Sequence, residues 1–329
     1  MTDAARDFLK GNTPLPLGRA NLDEFALTLE ALAAADRDVM VVCSDSRGSG
    51  RLTRFGERFP RQMVEVGIAE QTLVGVAAGL ASCGKKVFAV SPASFLTARA
   101  LEQIKNDVCY SNNPVALVGI SAGVSYGALG STHHSLHDLA ALRCIDNLTI
   151  VVPADNRETA QAVCWAAQGN RPAYLRFGKA KMHHVHADDA PIEIGRAALV
   201  RPGDDVAFIA TGEAVRQCVF AAEWLAEKGL SARVLSMHTV KPLDGKTVLA
   251  AARETGAVIT AEEHSIHGGL GEACAAALLE GGVHPRFRRV GIADEHTVTG
   301  SQAEILSHYG LNGRSLAEAA KQLLEAPHG

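Results

Sequence analysis

The chain has 329 residues, 47% apolar and 21% charged, with a formal net charge of −4. That length holds two domains with cores of their own, and the balance excludes wholesale disorder. Mixed charge without a basic stripe argues against nucleic-acid binding, and no run is long and apolar enough to span a bilayer. Residues 1–18 lack the apolar core of a signal peptide. Seven cysteines (43, 83, 109, 144, 164, 218 and 274) form no CxxC pair and read as small buried residues of a reducing compartment, the cytoplasm.

In chain order, Leu22, Phe25, Ala26, Leu29, Leu32 and Ala33 recur at helical spacing and predict a helix over 21–35. A buried strand follows at 38–45, then a polar loop with a short helical turn to residue 60. The stretch RQMVEVGIAEQTLVGVAAGLASCG (61–84) reads as a strand end, a glycine turn and a small-sided helix. Each interior glycine of such a helix costs about 1 kcal/mol relative to alanine, so Gly75 and Gly79 imply close packing by another helix. Further strands are expected at 85–90, 114–120, 148–153 and 173–179. Helices are expected at 94–110, from residue 137 and at 156–169, and a long Gly/Ser/His loop at 121–135. Alternation of this kind means a parallel sheet covered on both faces.

The charged, histidine-bearing segment 180–195 marks a boundary, placed so that 1–185 and 186–329 are separate domains. The second block repeats the alternation on a smaller scale, with strands at 206–211, 232–237, 257–263 and 287–292. Its helices cover about 213–228, 244–255, 270–281, 301–308 and 315–324. The fold class is α/β, two doubly wound parallel-sheet domains.

Ligands of open parallel sheets gather beyond the carboxyl ends of the strands. Asp45 to Ser49, Ser91 to Phe95, Ser121 to His134 and Pro153 to Asn156 lie there, as binding loops or as ordinary turns. Glu70, opening its helix, is either a carboxylate favoured by the helix dipole or a desolvated acid that shares a proton in catalysis. His133 serves catalysis or capping. His183, His184 and His186 suggest a metal, but with no second ligand cluster they read as solvated linker residues, and no metal site is expected. HGGLGE (267–272) either holds an anion at a helix N-terminus or is a glycine turn for close packing.

EVGIAEQTLVGVAAGLA, SFLTARALEQIKNDV, SYGALGSTHHSLHDLAALR, IVVPADNRETAQA, PAYLRFGK and ITAEEHSIHGGLGEA are collinear and resemble the C-terminal part of transketolase, from about Gly18 to the end. The likeness implies a pyrimidine-binding domain of thiamine diphosphate enzymes followed by a transketolase C-terminal domain. Deoxyxylulose-phosphate synthase and the beta subunit of 2-oxoacid dehydrogenases share several segments. FLTARALEQIKND followed by G-x-THH is most similar to bacterial split transketolases. The GDG motif and asparagine that hold the cofactor's diphosphate and Mg²⁺ are missing. The resemblance therefore implies an N-terminal partner subunit carrying them and an α2β2 heterotetramer.

Residue by residue, the resemblance makes Glu70 the catalytic glutamate that shares a proton with the aminopyrimidine. It makes Phe95 the stacking aromatic and Asp45 an acidic residue near the cofactor and subunit interface. His133 becomes the substrate-facing histidine, and Arg19, Ser49 and Arg176 grip a sugar phosphate, each arginine being alternatively a surface ion pair. The family's companion aromatics are Pro92 and Ala98 here, its hydroxyl-reading aspartate is Leu129, and a second substrate histidine falls at Ser121. These departures point to a donor other than the usual pentulose phosphate, such as a branched or modified ketose phosphate. The implied activity is transfer of a two-carbon ketol unit from a ketose phosphate to an aldose. A deoxyxylulose-phosphate-synthase-like or oxoacid-decarboxylating subunit and a non-catalytic scaffold are the alternatives.

Overall fold

Apolar runs such as VMVVC and VALVGI are buried on both faces of a strand, so helices must cover both sides of the sheet they form. The computed structural model describes residues 15–187 and 190–326. Its strands are β1 (Leu17–Ala20), β2 (Val39–Cys43), β3 (Met63–Glu65), β4 (Lys86–Pro92), β5 (Val115–Ile120), β6 (Thr149–Val151) and β7 (Ala173–Arg176). They continue with β8 (Lys181–His183), β9 (Ala198–Arg201), β10 (Val206–Ala210), β11 (Ala232–Ser236), β12 (Thr239–Lys241), β13 (Ala257–Ser265) and β14 (Arg286–Ile292).

Seven strands form one sheet in the order β12-β6-β7-β5-β4-β2-β3, and five form a second in the order β14-β13-β10-β11-β9. The expected parallel core is present in both, with β12 and β9 as antiparallel edges. β12 follows the second sheet's β11 in sequence yet pairs with β6, so the second half of the chain supplies the edge strand of the first sheet. At three residues it is too short to carry a periodicity. The expected helix over 94–110 is interrupted: Ala93–Arg99 ends at Ala100, and after Leu101–Gln103 the chain runs as a π-helix over Ile104–Tyr110. The wider π turn brings Ile104, Val108 and Cys109 together in the core.

Two sequence expectations need correction. The Glu70–Ser82 helix packs through Leu73, Val74, Ala77, Ala78 and Ala81, whereas a Cβ on Gly75 or Gly79 would meet nothing within 4 Å. Among the described residues no helix presses on those glycines. His186 is buried rather than solvated, with Nε2 2.6 Å from Oε1 of Glu158. Glu158 also accepts from Ser236 Oγ (2.6 Å) and the Ala154 amide (2.6 Å). Burial by itself would raise the Glu158 carboxyl; His238, His186 and Ser236 outweigh it and hold it at about 2. The segment between the sheets is thus stapled to the Asn156–Ala166 helix. Among the described residues no group of three His, Cys, Asp or Glu side chains is placed to hold a metal.

The HGGLGE turn resolves through chemistry the sequence left open. Glu262 on β13 accepts the Leu270 amide (2.7 Å) and the Gly271 amide (2.8 Å), so the anion at the Leu270–Glu280 helix start is a side chain of the protein itself. Any Cβ at position 269 would strike that carboxylate, which is why glycine stands there.

Candidate active site

The strand order of the first sheet reverses between β2 and β4, where open parallel sheets leave a crevice at their carboxyl ends. A hydrogen bond between the hydroxyls of Ser44 and Ser91 (2.7 Å) ties the two strand ends at that point. Asp45 follows on one side, exposed, with its amide 3.4 Å from the Gly67 carbonyl. Phe95 lies on the other side, one turn into the Ala93–Arg99 helix.

Glu70 is the first residue of its helix and only 4% exposed. Among the described residues no backbone amide donates to its carboxylate. Arg99 does, with Nη1 at 2.9 Å from Oε1 and 3.0 Å from Oε2. The Arg99 guanidinium lies over the Phe95 ring, 4.4 Å from its centroid. Phe95 meets the His133 ring edge-on at 5.3 Å, His133 meets Tyr126 at 5.3 Å, and Lys179 Nζ stands 4.6 Å from the Tyr126 centroid. Glu70, Arg99, Phe95, His133, Tyr126 and Lys179 therefore form one unbroken contact series across the carboxyl ends of the strands. Pro92 and Ala98, the expected places of companion aromatics, bring no ring to this series; its rings are those of Phe95, His133 and Tyr126. His133 Nδ1 is 3.0 Å from the Thr132 hydroxyl, which leaves Nε2 as the nitrogen for a ligand.

Lys179 leads into a cavity of about 300 Å³ lined by Ala20, Leu22, Gly48, Ser49, Arg51 and Lys179. Arg51 Nε is paired with Asp23 Oδ1 at 3.1 Å, and with Lys179 and the Ser49 hydroxyl it gives this small space a cationic lining suited to a phosphate. Arg19 lines a neighbouring cavity of about 450 Å³ instead, and its guanidinium is paired with Glu24 at 2.9 Å. The larger cavity, about 800 Å³, is a groove on the second sheet between β9 and the Gly245–Glu254 helix, away from this series.

Arg176 corrects the sequence reading. It is 6% exposed, with Nε 2.7 Å from Oδ2 of the fully buried Asp138 and Nη2 donating to the carbonyls of Ser135 and Glu263 at 3.0 Å each. A guanidinium so committed ties β7 to the loop before the Asp138–Arg143 helix and to β13. Beside it, Glu263 accepts the Val124 amide (2.8 Å), and the Gln302 side-chain amide donates to both Glu263 (3.0 Å) and Glu213 (3.1 Å). Burial first, and then the Glu263 charge, raise the Glu213 carboxyl. Without giving a side chain to the contact series, the second unit thereby clamps the 121–135 loop that carries Tyr126 and His133.

Arg99, Tyr126, Arg51 and Lys179 join the contact series or its cavity without having been singled out from the sequence. Two had a signal: Arg99 stands four residues after Phe95 and so on the same helical face, and Lys179 lies just past the end of β7, on the ligand side of the sheet. Ser121 is fully buried with φ +53° and an Oγ that has no partner among the described residues; Leu129 is 56% exposed.

Known proteins match this chain over nearly all of its length. Residues 20–183 match the family described as transketolase, pyrimidine binding domain, and residues 195–316 the family described as transketolase, C-terminal domain. A Phocaeicola vulgatus protein named as one of the subunits of an apulose-4-phosphate transketolase is 45% identical over 302 residues, 92% of this chain and 96% of that protein. The 1-deoxy-D-xylulose-5-phosphate synthase of Symbiobacterium thermophilum is 40% identical over 296 residues, but the match spans only 45% of its length. A solved structure described as a split gene transketolase, inactive beta4 tetramer, superposes with a TM-score of 0.84 at 35% identity, covering 93% of this chain and 98% of that one.

Proposed function

Since this chain belongs to the transketolase family, we propose that it is the pyrimidine-binding subunit of a split, thiamine diphosphate-dependent transketolase. It moves a two-carbon ketol unit from a ketose phosphate to an aldose, in the cytoplasm, where its seven unpaired cysteines stay reduced. Its partner is an N-terminal subunit that holds the diphosphate and Mg²⁺, two copies of each chain making the enzyme. The naming of a related beta4 tetramer as inactive supports the need for that partner.

The observation that carries this reading is the contact series from Glu70 to Lys179, ending on the Ser49–Arg51 cavity. Its residues fit the cofactor's ring: Arg99 already displays Glu70 accepting from, and Phe95 stacking on, a flat nitrogen-bearing group. Bound thiamine diphosphate supplies the carbanion chemistry that side chains lack. Glu70 holds the shared proton at its carboxylate in a nearly water-free wall, where a hydrogen bond is stronger than in water. Phe95 fixes the ring plane, and Asp45 stands at the mouth beside the Gly67–Glu70 turn. His133 Nε2 faces the donor's carbonyl and first hydroxyl, while Ser49, Arg51 and Lys179 anchor its phosphate and Arg19, paired with Glu24, lines the neighbouring cavity.

A branched ketose phosphate of the apulose-4-phosphate kind is the donor best supported, by the name of the Phocaeicola relative and by apolar Leu129 where the usual donor's hydroxyl is read. The test is an assay of the chain alone and co-expressed with the N-terminal subunit, using ketose phosphates and pyruvate, with Glu70→Ala as control. Ketol transfer confined to the complex and lost in the variant supports the reading. Carbon dioxide release from pyruvate moves the chain to the synthase or oxoacid class, and a complex that binds no cofactor leaves it a scaffold.

A further inference from the structure

We propose that Arg99 is a built-in stand-in for the cofactor's aminopyrimidine ring, holding the ring's two recognition elements, the Glu70 carboxylate and the Phe95 face, so that binding must displace it. The inference rests on the reading of Glu70 and Phe95 as the ring's partners.

A guanidinium is flat, delocalised and edged with N–H donors, the features by which an aminopyrimidine is recognised. Arg99 uses all three. Its plane carbon lies 4.4 Å from the Phe95 centroid while Nη1 reaches both Glu70 oxygens at 2.9 and 3.0 Å. Stacking and hydrogen bonding come from one side chain because Phe95 and Arg99 are four residues apart on one helix. A guanidinium resting on that ring and filling the reach of that carboxylate cannot share the space with a second flat group.

The two partners differ sharply in exposure, and the difference sets the direction of exchange. Arg99 is 49% exposed, so it swings into water at little loss. Glu70 is 4% exposed, and a buried carboxylate stripped of its partner is strongly destabilising. Arg99 therefore leaves only for a group that gives Glu70 a hydrogen-bonding partner in its place, as a ring nitrogen that shares a proton with it does. This makes the site selective for pyrimidine rings with a proton-sharing nitrogen at the right edge, and it lowers apparent affinity by the fraction of chains in which Arg99 is withdrawn.

The test uses the assembled complex with the N-terminal subunit and follows thiamine diphosphate binding by stopped-flow fluorescence in wild type, Arg99→Met and Arg99→Gln. A half-exposed ion pair and one cation–π contact together predict an affinity gain of about tenfold on their removal. The gain is expected in the association rate with the dissociation rate unchanged, because the competitor acts on the unbound state. Unchanged or weaker affinity, or a change confined to dissociation, overturns the proposal and makes Arg99 a structural support of Glu70. Glu70→Gln in the same titration separates the two levels. If it binds as wild type, the assignment of Glu70 has failed and the stand-in with it; if it binds more weakly while the Arg99 variants bind no tighter, only the stand-in falls.

Discussion

The Nε of Arg176 lies 2.7 Å from Oδ2 of Asp138, and both side chains are buried. Asp138 also accepts from the Tyr174 hydroxyl at 2.7 Å, so one carboxylate organises two neighbours on β7. Burial would raise the Asp138 carboxyl, but the Arg176 charge holds it below the usual range. Replacing Arg176 by Met leaves that carboxylate without its counter-charge. The expected loss is about 3–5 kcal/mol in urea unfolding, the cost of breaking a buried pair from one side. The folded fraction should keep its KM for the sugar phosphate; a raised KM at unchanged stability would restore Arg176 to the phosphate site.

Lys179 is expected to behave in the opposite way. It stands exposed over Tyr126 at the edge of the Ser49–Arg51 cavity and, among the described residues, makes no ion pair. Lys179→Met should leave the unfolding midpoint within error of wild type. KM for a phosphorylated donor should rise about tenfold or more, the worth of one charge-assisted hydrogen bond. An unphosphorylated donor should show no such rise, and that comparison checks the role.

His264 links stability to acid. Burial pushes its imidazole down to about 4 from an ordinary 6.5, against the opposing pull of Asp138. The unfolded chain therefore binds a proton between these values that the folded chain refuses. Stability from this group is complete above pH 6.5 and lost as pH falls towards 4, by about 3 kcal/mol at the lower end. His264→Gln, an amide of similar reach, should flatten the acid limb of unfolding free energy against pH, measured from pH 7 to 4.

Glu213 acts at the other end of the scale. Its carboxyl is pushed up to about 8, by burial first and Glu263 second, while Arg216 and Arg176 oppose the shift and Gln302 bridges the pair. A raised acid stabilises fully below the ordinary value of 4.5, and that contribution is lost as pH rises through about 8. The slope is about 1.4 kcal/mol per pH unit in that window. Glu213→Gln should remove the decline in denaturation experiments from pH 5 to 9. Because Glu263 also holds the Val124 amide, wild-type activity should fall over the alkaline part of that range and the variant's should fall less.

Much of the fold was legible in the chain because its strands are apolar on both sides and its helices amphipathic, patterns that depend only on near neighbours. Leu22, Phe25 and Leu29 announced their helix, and VMVVC and VALVGI their central strands. Glu70, Phe95 and His133 were singled out because each sits in a segment whose resemblance to transketolase is local and collinear. The sequence by itself thus determined the fold class, the family and the carboxyl-end rim on which the proposed chemistry stands. What only the tertiary structure decided were pairings across long separations. Arg99 meets Glu70 over 29 positions, and Arg176 and Glu263 meet over 87. His186 turned from a linker residue into a buried partner of Glu158, and Arg176 into a buried partner of Asp138. Charged side chains carry no periodicity that reveals their partner. Whether an arginine grips a ligand or a neighbour depends on which carboxylate the folded chain brings within hydrogen-bonding reach, and on how much water is left between them.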